Sequence, residues 1–312
     1  MRIVVTGAAG FIGSHLCDRL LEAGHEVAGV DALVREELRR IQTRHLTEAL
    51  AHPRFSLVER DMADMDWSAL LEGADVVYHL AGIPGVRSSW GSDFEAYMRS
   101  NIGATQRLLE ACKGTRIRRL IYASTSSVYG DQAGMVSEEA VPSPLSPYGV
   151  TKFTGEQLCH VYRRNEGVPV VVLRYFTVYG PRQREDMAFH RFIRQLLNGR
   201  PITLYGDGRQ SRDFTYVDDC VAATFAAGDQ PDLVGETINI GGTERATIRD
   251  VIAKLEKLTG LRAHTIRAGG LKGEPMHTWA DISKARKLLG YSPKTGLDEG
   301  LKREIEYVQS LM

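Results

Sequence analysis

Tyr148 and Lys152 stand four residues apart, so on a helix both side chains share a face one turn apart. An ammonium beside a phenol lowers its pKa from the reference of about 10 and makes tyrosine a usable acid/base near neutrality. Pro147 suits the first turn of such a helix, and Phe153, Glu156, Leu158 and Val161 continue it. Just upstream, the run Ala123-Ser124-Thr125-Ser126-Ser127-Val128-Tyr129-Gly130 offers hydroxyls from a strand exit to the same reacting oxygen. A second constellation lies at the amino-terminal end. Gly7-Ala8-Ala9-Gly10-Phe11-Ile12-Gly13 follows a strand and opens a helix. Glycines at that bend let backbone amides approach a pyrophosphate at the positive end of the helix. Asp31 ends the second strand, 18 residues beyond Gly13. A carboxylate there accepts both adenosine ribose hydroxyls and repels a 2′-phosphate, which favours NAD over NADP. Asp61-Met62 after the third strand is placed to touch adenine, and Leu80-Ala81-Gly82 after the fourth lets the chain pass close to the cofactor.

The elements that must hold these residues are legible in the hydrophobic pattern. Short β-branched runs at about 2–6, 26–30, 55–59, 75–79, 118–123 and 169–175 alternate with amphipathic segments, which implies parallel strands with helical crossovers. Phe11, Ile12, His15, Leu16, Leu20 and Leu21 recur at helical spacing, as do Ile102, Leu108, Leu109 and Cys112. The fold class expected is α/β: a doubly wound, parallel Rossmann sheet. From about residue 180 the punctuation changes, with Gly180-Pro181, Asn198-Gly199-Arg200-Pro201, Gly206-Asp207-Gly208 and Gly241-Gly242 separating shorter elements. This reads as a smaller, interleaved substrate lobe, giving 1–175 for the dinucleotide-binding domain and mainly 176–312 for the second.

Composition narrows the function classes. Lys plus Arg and Asp plus Glu both total 39 among 312 residues, so no broad basic surface for nucleic acid is expected. Arg35 to Arg44 is charge-rich but mixed in sign, as on a solvated helix. Cys17, Cys112, Cys159 and Cys220 are widely separated, which suggests neither a metal knuckle nor a disulfide framework and fits a reducing cytoplasm. No stretch reaches the roughly 20 apolar residues of a membrane span, and Ile3-Val4-Val5 is too short for a signal peptide. A soluble enzyme with no metal is the expectation.

The ordered set of motifs resembles the extended short-chain dehydrogenase/reductase family, and within it the nucleotide-sugar 4-epimerases. The likeness runs through the glycine motif at 7–13, Asp31, Asp61, His79-Leu80-Ala81-Gly82, Asn101, the hydroxyl cluster at 124–127 and Tyr148 with Lys152. It continues through Tyr175-Phe176-Thr177-Val178-Tyr179-Gly180-Pro181-Arg182 and Arg212-Asp213-Phe214-Thr215-Tyr216-Val217-Asp218-Asp219. The resemblance implies Tyr148 as base, Lys152 as its electrostatic support and ribose ligand, and Thr125 as hydroxyl partner at the sugar oxygen. It adds Asn101 and Tyr175 to the cofactor contacts, and a carboxyl-terminal lobe that grips a nucleotide diphosphate, Arg212 matching the usual phosphate-binding arginine. It also implies a homodimer built from the segments near 93–113 and 147–165.

Relatives in this family oxidise C4 of the sugar first and differ in the fate of the 4-keto intermediate. The 4,6-dehydratases place Asp-Glu after the threonine, where this chain has Ser126-Ser127. The decarboxylases carry Ser-Glu, so Ser127 replaces their glutamate. Epimerisation remains, with NAD tightly held and regenerated in each turnover. Thr177 stands where epimerases of neutral hexoses usually have Asn, and the run from Thr177 to Ala188 looks like that of UDP-glucuronic acid 4-epimerases. Arg184 would meet a C6 carboxylate, with Thr177, Ser126 and Ser127 as neutral donors. A UDP-glucose 4-epimerase and a UDP-glucuronate decarboxylase stay open as alternatives. The resemblance further points to Arg87, Ala188, Phe189, Thr203, Tyr205 and Glu274 as substrate contacts, Thr203 to Gly206 framing uracil and Glu274 accepting ribose hydroxyls. Nucleotide-sugar relatives commonly carry an Arg two residues before Gly-Asp; the matching stretch here is Leu271-Lys272-Gly273-Glu274-Pro275, which leaves Lys272 or nothing in that place.

Overall fold

The computed structural model describes residues 1–33, 36–270 and 272–312. Arg35, at the head of the charge-rich stretch, and Leu271 lie outside the described residues; the stretch continues as a helix over Glu36–His45. The strands in chain order are β1 (Arg2–Thr6), β2 (Glu26–Asp31), β3 (Phe55–Glu59), β4 (Val76–His79), β5 (Arg119–Thr125), β6 (Val170–Tyr175), β7 (Val178–Tyr179), β8 (Ile202–Tyr205), β9 (Ser211–Tyr216), β10 (Thr237–Ile240), β11 (Glu244–Thr247) and β12 (Thr265–Ala268).

Side chains on a strand alternate between faces, and the central strands here are apolar on both. Ile3 and Val5, Val76 and Tyr78, Ile121, Val171 and Leu173 enter one hydrophobic cluster. Their neighbours Val4, Val77, Leu120, Tyr122, Val170 and Val172 enter another. A sheet buried on both faces is the parallel kind. It has seven strands in the order β10-β6-β5-β4-β1-β2-β3, all pairings parallel. The helix Phe11–Glu22 packs on the first face beside the helix Val217–Asp229, and the helices Ala104–Ala111 and Pro147–Glu166 pack on the second.

The chain runs outward through β1, β2 and β3, then returns to place β4 on the other side of β1. That reversal opens a crevice at the carboxyl ends of β1 and β4, where open α/β sheets bind ligands. The second half of the chain is interleaved with the first, because β10 completes the large sheet beside β6. A three-stranded sheet β11-β9-β7 and a two-stranded sheet β12-β8 stand apart from it. The helix expected after Asp93 is broken into Phe94–Tyr97, a π-helical turn over Met98–Gly103, and Ala104–Ala111. Such turns cluster at functional positions, and this one carries Asn101.

Candidate active site

The bend after β1 is built from close backbone approaches. Gly7 has φ +70, and a Cβ on it would stand 2.8 Å from the Ala81 amide nitrogen, so the glycine loop and the 80–82 run are in contact. A Cβ on Gly13 would stand 2.0 Å from the Gly7 carbonyl oxygen, which excludes any larger residue there. Gly10 is the N-cap and no side chain caps the helix that begins at Phe11, so the first-turn amides keep their capacity for an anion. Asp31 accepts from the Ala9 amide at 3.0 Å and the Leu33 amide at 3.1 Å. Burial raises its pKa, and those amides oppose the rise. A glycine cradle with open amides and a carboxylate at the end of β2 fits a dinucleotide.

The two residues expected near adenine have partners of their own. Asp61 accepts from the Ala63 amide at 2.8 Å and from Arg99 at 3.0 Å, and the Met62 side chain is buried in the core. Tyr175 is also a core residue: its hydroxyl is paired with Thr224 at 2.8 Å.

The helix Pro147–Glu166 starts as its sequence dictates. Ser146 is the N-cap and accepts from the Gly149 amide at 3.1 Å, Pro147 follows, and Gly167 ends the helix with φ 71. Its first turn rests on the end of β5, since a Cβ on Gly149 would stand 2.7 Å from the Ser127 carbonyl oxygen. Tyr148 is thereby brought near Thr125, whose hydroxyl acts to lower the pKa of the phenol and accepts from the Ser127 amide at 3.1 Å. The Tyr97 ring meets that of Tyr148 edge-on at 6.3 Å. Lys152 is buried, with its ammonium 4.2 Å from the centroid of the Tyr122 ring. A Cβ on Gly82 would come within 2.9 Å of Asn101 Oδ1 and 3.9 Å of Lys152 Nζ. Asn101 in turn donates to the Ile83 carbonyl at 3.0 Å and to Thr151 at 3.1 Å. Tyr148, Lys152, Thr125, Asn101 and the 80–82 run therefore share one wall of the crevice.

Burial raises the Tyr148 pKa, and the influences that lower it are the Thr125 hydrogen bond and the charge of Arg184. The Lys152 ammonium sits over Tyr122. Burial instead depresses Lys152 itself, from 10.5 to about 8.

Arg184 is thus within electrostatic reach of the phenol. Its fork is held by Asp186, with Nε and Nη2 contacts of 2.8 and 2.6 Å. Ser126 is buried, Ser127 and Thr177 are half-buried, and the Thr177 carbonyl accepts from the Thr215 amide at 3.0 Å.

A polar cluster forms in the second lobe. Glu274 accepts from Arg87 at 2.7 Å and Arg212 at 3.2 Å, and the Arg87 guanidinium lies 3.8 Å from the centroid of the Tyr205 ring. Arg212 is half-buried, and desolvation lowers its pKa while Glu274 opposes that. Thr203 lies in β8 beside this cluster. Arg191, absent from the sequence expectations, reaches the same ring at 5.5 Å; it is on the helix Ala188–Leu197, and its spacing alone carried no signal. Lys272 lies 4.1 Å from the Trp90 ring centroid, so the second cation beside Arg212 is Arg87. Phe189 departs from expectation: its ring is in the core, 4.6 Å from Phe214, leaving half-buried Ala188 at the head of that helix.

The model of the NAD dependent epimerase/dehydratase family matches residues 3–241. The chain belongs to that family. Among its relatives, YtcB of Bacillus subtilis strain 168, described as an uncharacterised UDP-glucose epimerase, is 53% identical over 312 residues, covering 100% of this chain and 99% of that one. A UDP-glucuronate 4-epimerase of Thermodesulfobacterium geofontis is 39% identical, covering 97% and 95%. The crystal structure of a UDP-glucuronic acid 4-epimerase from Bacillus cereus, in complex with UDP-glucuronic acid and NAD, superposes with a TM-score of 0.98 at 52% identity over 100% of both chains. Among the described residues of this family member, no group of His, Cys, Asp and Glu could hold a metal ion, no helix is long and apolar enough to cross a membrane, and the four cysteines are free and buried.

Proposed function

We propose that this protein is a UDP-glucuronate 4-epimerase, interconverting UDP-glucuronic acid and UDP-galacturonic acid through a transient 4-keto sugar. The observation that supports the uronate reading is the charge of Arg184, which lowers the pKa of the Tyr148 phenol and so lies within electrostatic reach of the place where C4 and its neighbouring carboxylate would lie. Bound NAD, held by Gly7, Gly10, Phe11, Ile12, Gly13 and Asp31, supplies the acceptor that takes the C4 hydride and returns it to the opposite face. Tyr148 removes the O4 proton and later gives it back, while Thr125 keeps O4 within its reach. Lys152 orients the nicotinamide ribose. Arg87, Arg212, Tyr205 and Glu274 grip the UDP portion. A 4-keto uronate is a β-keto acid, and it loses carbon dioxide readily when its carboxylate bond aligns with the carbonyl π system. Arg184, Thr177, Ser126 and Ser127 hold that carboxylate out of alignment, and Ser127 offers no carboxylate of its own. Replacing Arg184 by Ala is expected to lower kcat/KM for UDP-glucuronic acid at least tenfold, about 1.4 kcal/mol, and to spare residual turnover of UDP-glucose. Equal losses on both sugars would favour a neutral-hexose epimerase instead.

A homodimer in the cytoplasm completes this reading. The helix Pro147–Glu166 and its neighbour over 94–103 leave Val150 44%, Val161 52% and Met98 43% exposed, an apolar stripe suited to a second copy.

A further inference from the structure

One helical turn beyond Lys152, the same helix carries Glu156, which is fully buried. Its carboxylate accepts from Arg174 Nε at 3.0 Å and Nη2 at 2.7 Å, and from the Ser124 hydroxyl. Ser124 immediately precedes Thr125 in β5. Arg174 lies in β6, its guanidinium 4.7 Å from the centroid of the Tyr129 ring, and the Tyr129 hydroxyl donates to Asn239 Oδ1 at 2.7 Å. One carboxylate therefore joins the helix of Tyr148 and Lys152, the strand of Thr125 and the strand leading to Thr177. A buried ion pair is a poor stabilising device, because desolvation offsets much of its attraction. Its position behind the reacting groups suggests another use.

Lys152 lies against the Tyr122 ring of β5 and interacts electrostatically with His79 on β4 and with Cys159 and Glu156 on its own helix. His79 is held neutral by burial, and burial keeps the Cys159 thiol protonated. Glu156 is the carboxylate in this set: it is bonded to Arg174, and its charge raises the Lys152 pKa from one helical turn away. We infer that Glu156 is a positioning residue for the epimerisation: it sets a carboxylate one helical turn from Lys152, and its bonds to Ser124 and Arg174 fix the Lys152 helix against the strand of Thr125. The inference rests on the proposed C4 chemistry for its purpose, while its physical content can be read without turnover.

The direct test is titration of Lys152 by NMR in the NAD-bound protein labelled with ¹³C at lysine Cε, where only nine lysines occur and Lys152→Arg assigns the resonance. Glu156→Gln leaves two cations without their shared anion, so the Lys152 midpoint is expected to fall by about one pH unit or more, and the alkaline limb of kcat to move with it. Adding Arg174→Met to Glu156→Gln is expected to reverse most of that fall. A folded Glu156→Gln protein with an unmoved Lys152 midpoint would overturn the inference, whatever its thermal stability. If Glu156→Gln does not fold, Arg174→Met alone decides: the midpoint should rise, and an unchanged one is equally fatal. Absence of turnover in the wild-type protein would count against the proposed function but leave the titration readable.

Discussion

At the scale of single residues, the account assigns separate duties to groups that lie within one crevice, and each can be removed alone. Tyr148→Phe keeps the ring and its contact with Tyr97 but deletes the proton carrier, so kcat is expected to fall by roughly 10²–10⁴ with UDP-sugar binding, measured calorimetrically, preserved. A comparable loss of binding would show the phenol to be a ligand contact only. In the proposed chemistry Lys152 works as a cation, and burial has brought its pKa to about 8. Turnover should therefore hold below that value and decline as pH rises through it, whereas a Lys152→Arg enzyme with any residual activity should not share the decline. The residues named here were legible to different degrees. Tyr148 and Lys152 declare themselves by a helical spacing, and Thr125 by its place at a strand exit. Arg191, and the partnership of Glu156 with Arg174, depend on which helix packs over which strand, a relation that no local spacing encodes. The burial of Phe189 and Tyr175 was hidden for the same reason: an aromatic side chain beside a site faces either the ligand or the core, and only tertiary packing decides.

The elements impose their own constraints through backbone proximity. The glycine bend works because Gly13 lets the helix over Phe11–Glu22 start directly against the Gly7 carbonyl. Gly13→Ala would force a methyl to 2.0 Å from that oxygen, so NAD affinity is expected to fall at least tenfold, about 1.4 kcal/mol, as read by cofactor retention through desalting. Gly155 has a parallel role on the catalytic helix, where a Cβ would stand 2.0 Å from the Tyr122 hydroxyl. Gly155→Ala should destabilise the fold by about 1–3 kcal/mol in urea unfolding and move Lys152 away from Tyr122. A variant as stable and active as the parent would show that the helix is free to shift. The six strands read from sequence coincide with β1–β6 to within two residues at each end, because apolar residues on both faces make a run unmistakable. The π-helical turn at Met98–Gly103 was not visible, since its sequence continues an amphipathic helix and its geometry follows from Asn101 reaching Ile83 and Thr151.

At the scale of the whole molecule, the interleaving of the two halves matters most. β10 belongs to the large sheet though it comes late in the chain, and Arg182, with φ 65, reaches from the loop that carries Arg184 to Asp18 on the cofactor helix at 2.6 Å. This arrangement places uncharged histidines in the shared core. Burial lowers His15 and His45 from 6.5 to about 4 and His79 to about 3. Each folded value lies below the unfolded one, so the unfolded chain binds more protons as pH drops. The stability they contribute is complete above about 6.5 and drains away on acidification toward the folded values, so urea midpoints should fall between pH 7 and 5. A flat profile would mean those rings are solvated. The account as a whole stands on hydride leaving C4 and returning to the same carbon, and UDP-glucuronic acid deuterated at C4, incubated with the purified protein and no added cofactor, tests that most directly by proton NMR. The account predicts UDP-galacturonic acid that retains its C4 deuterium. Unchanged C4 configuration, or product whose C4 deuterium has exchanged with water, would contradict it.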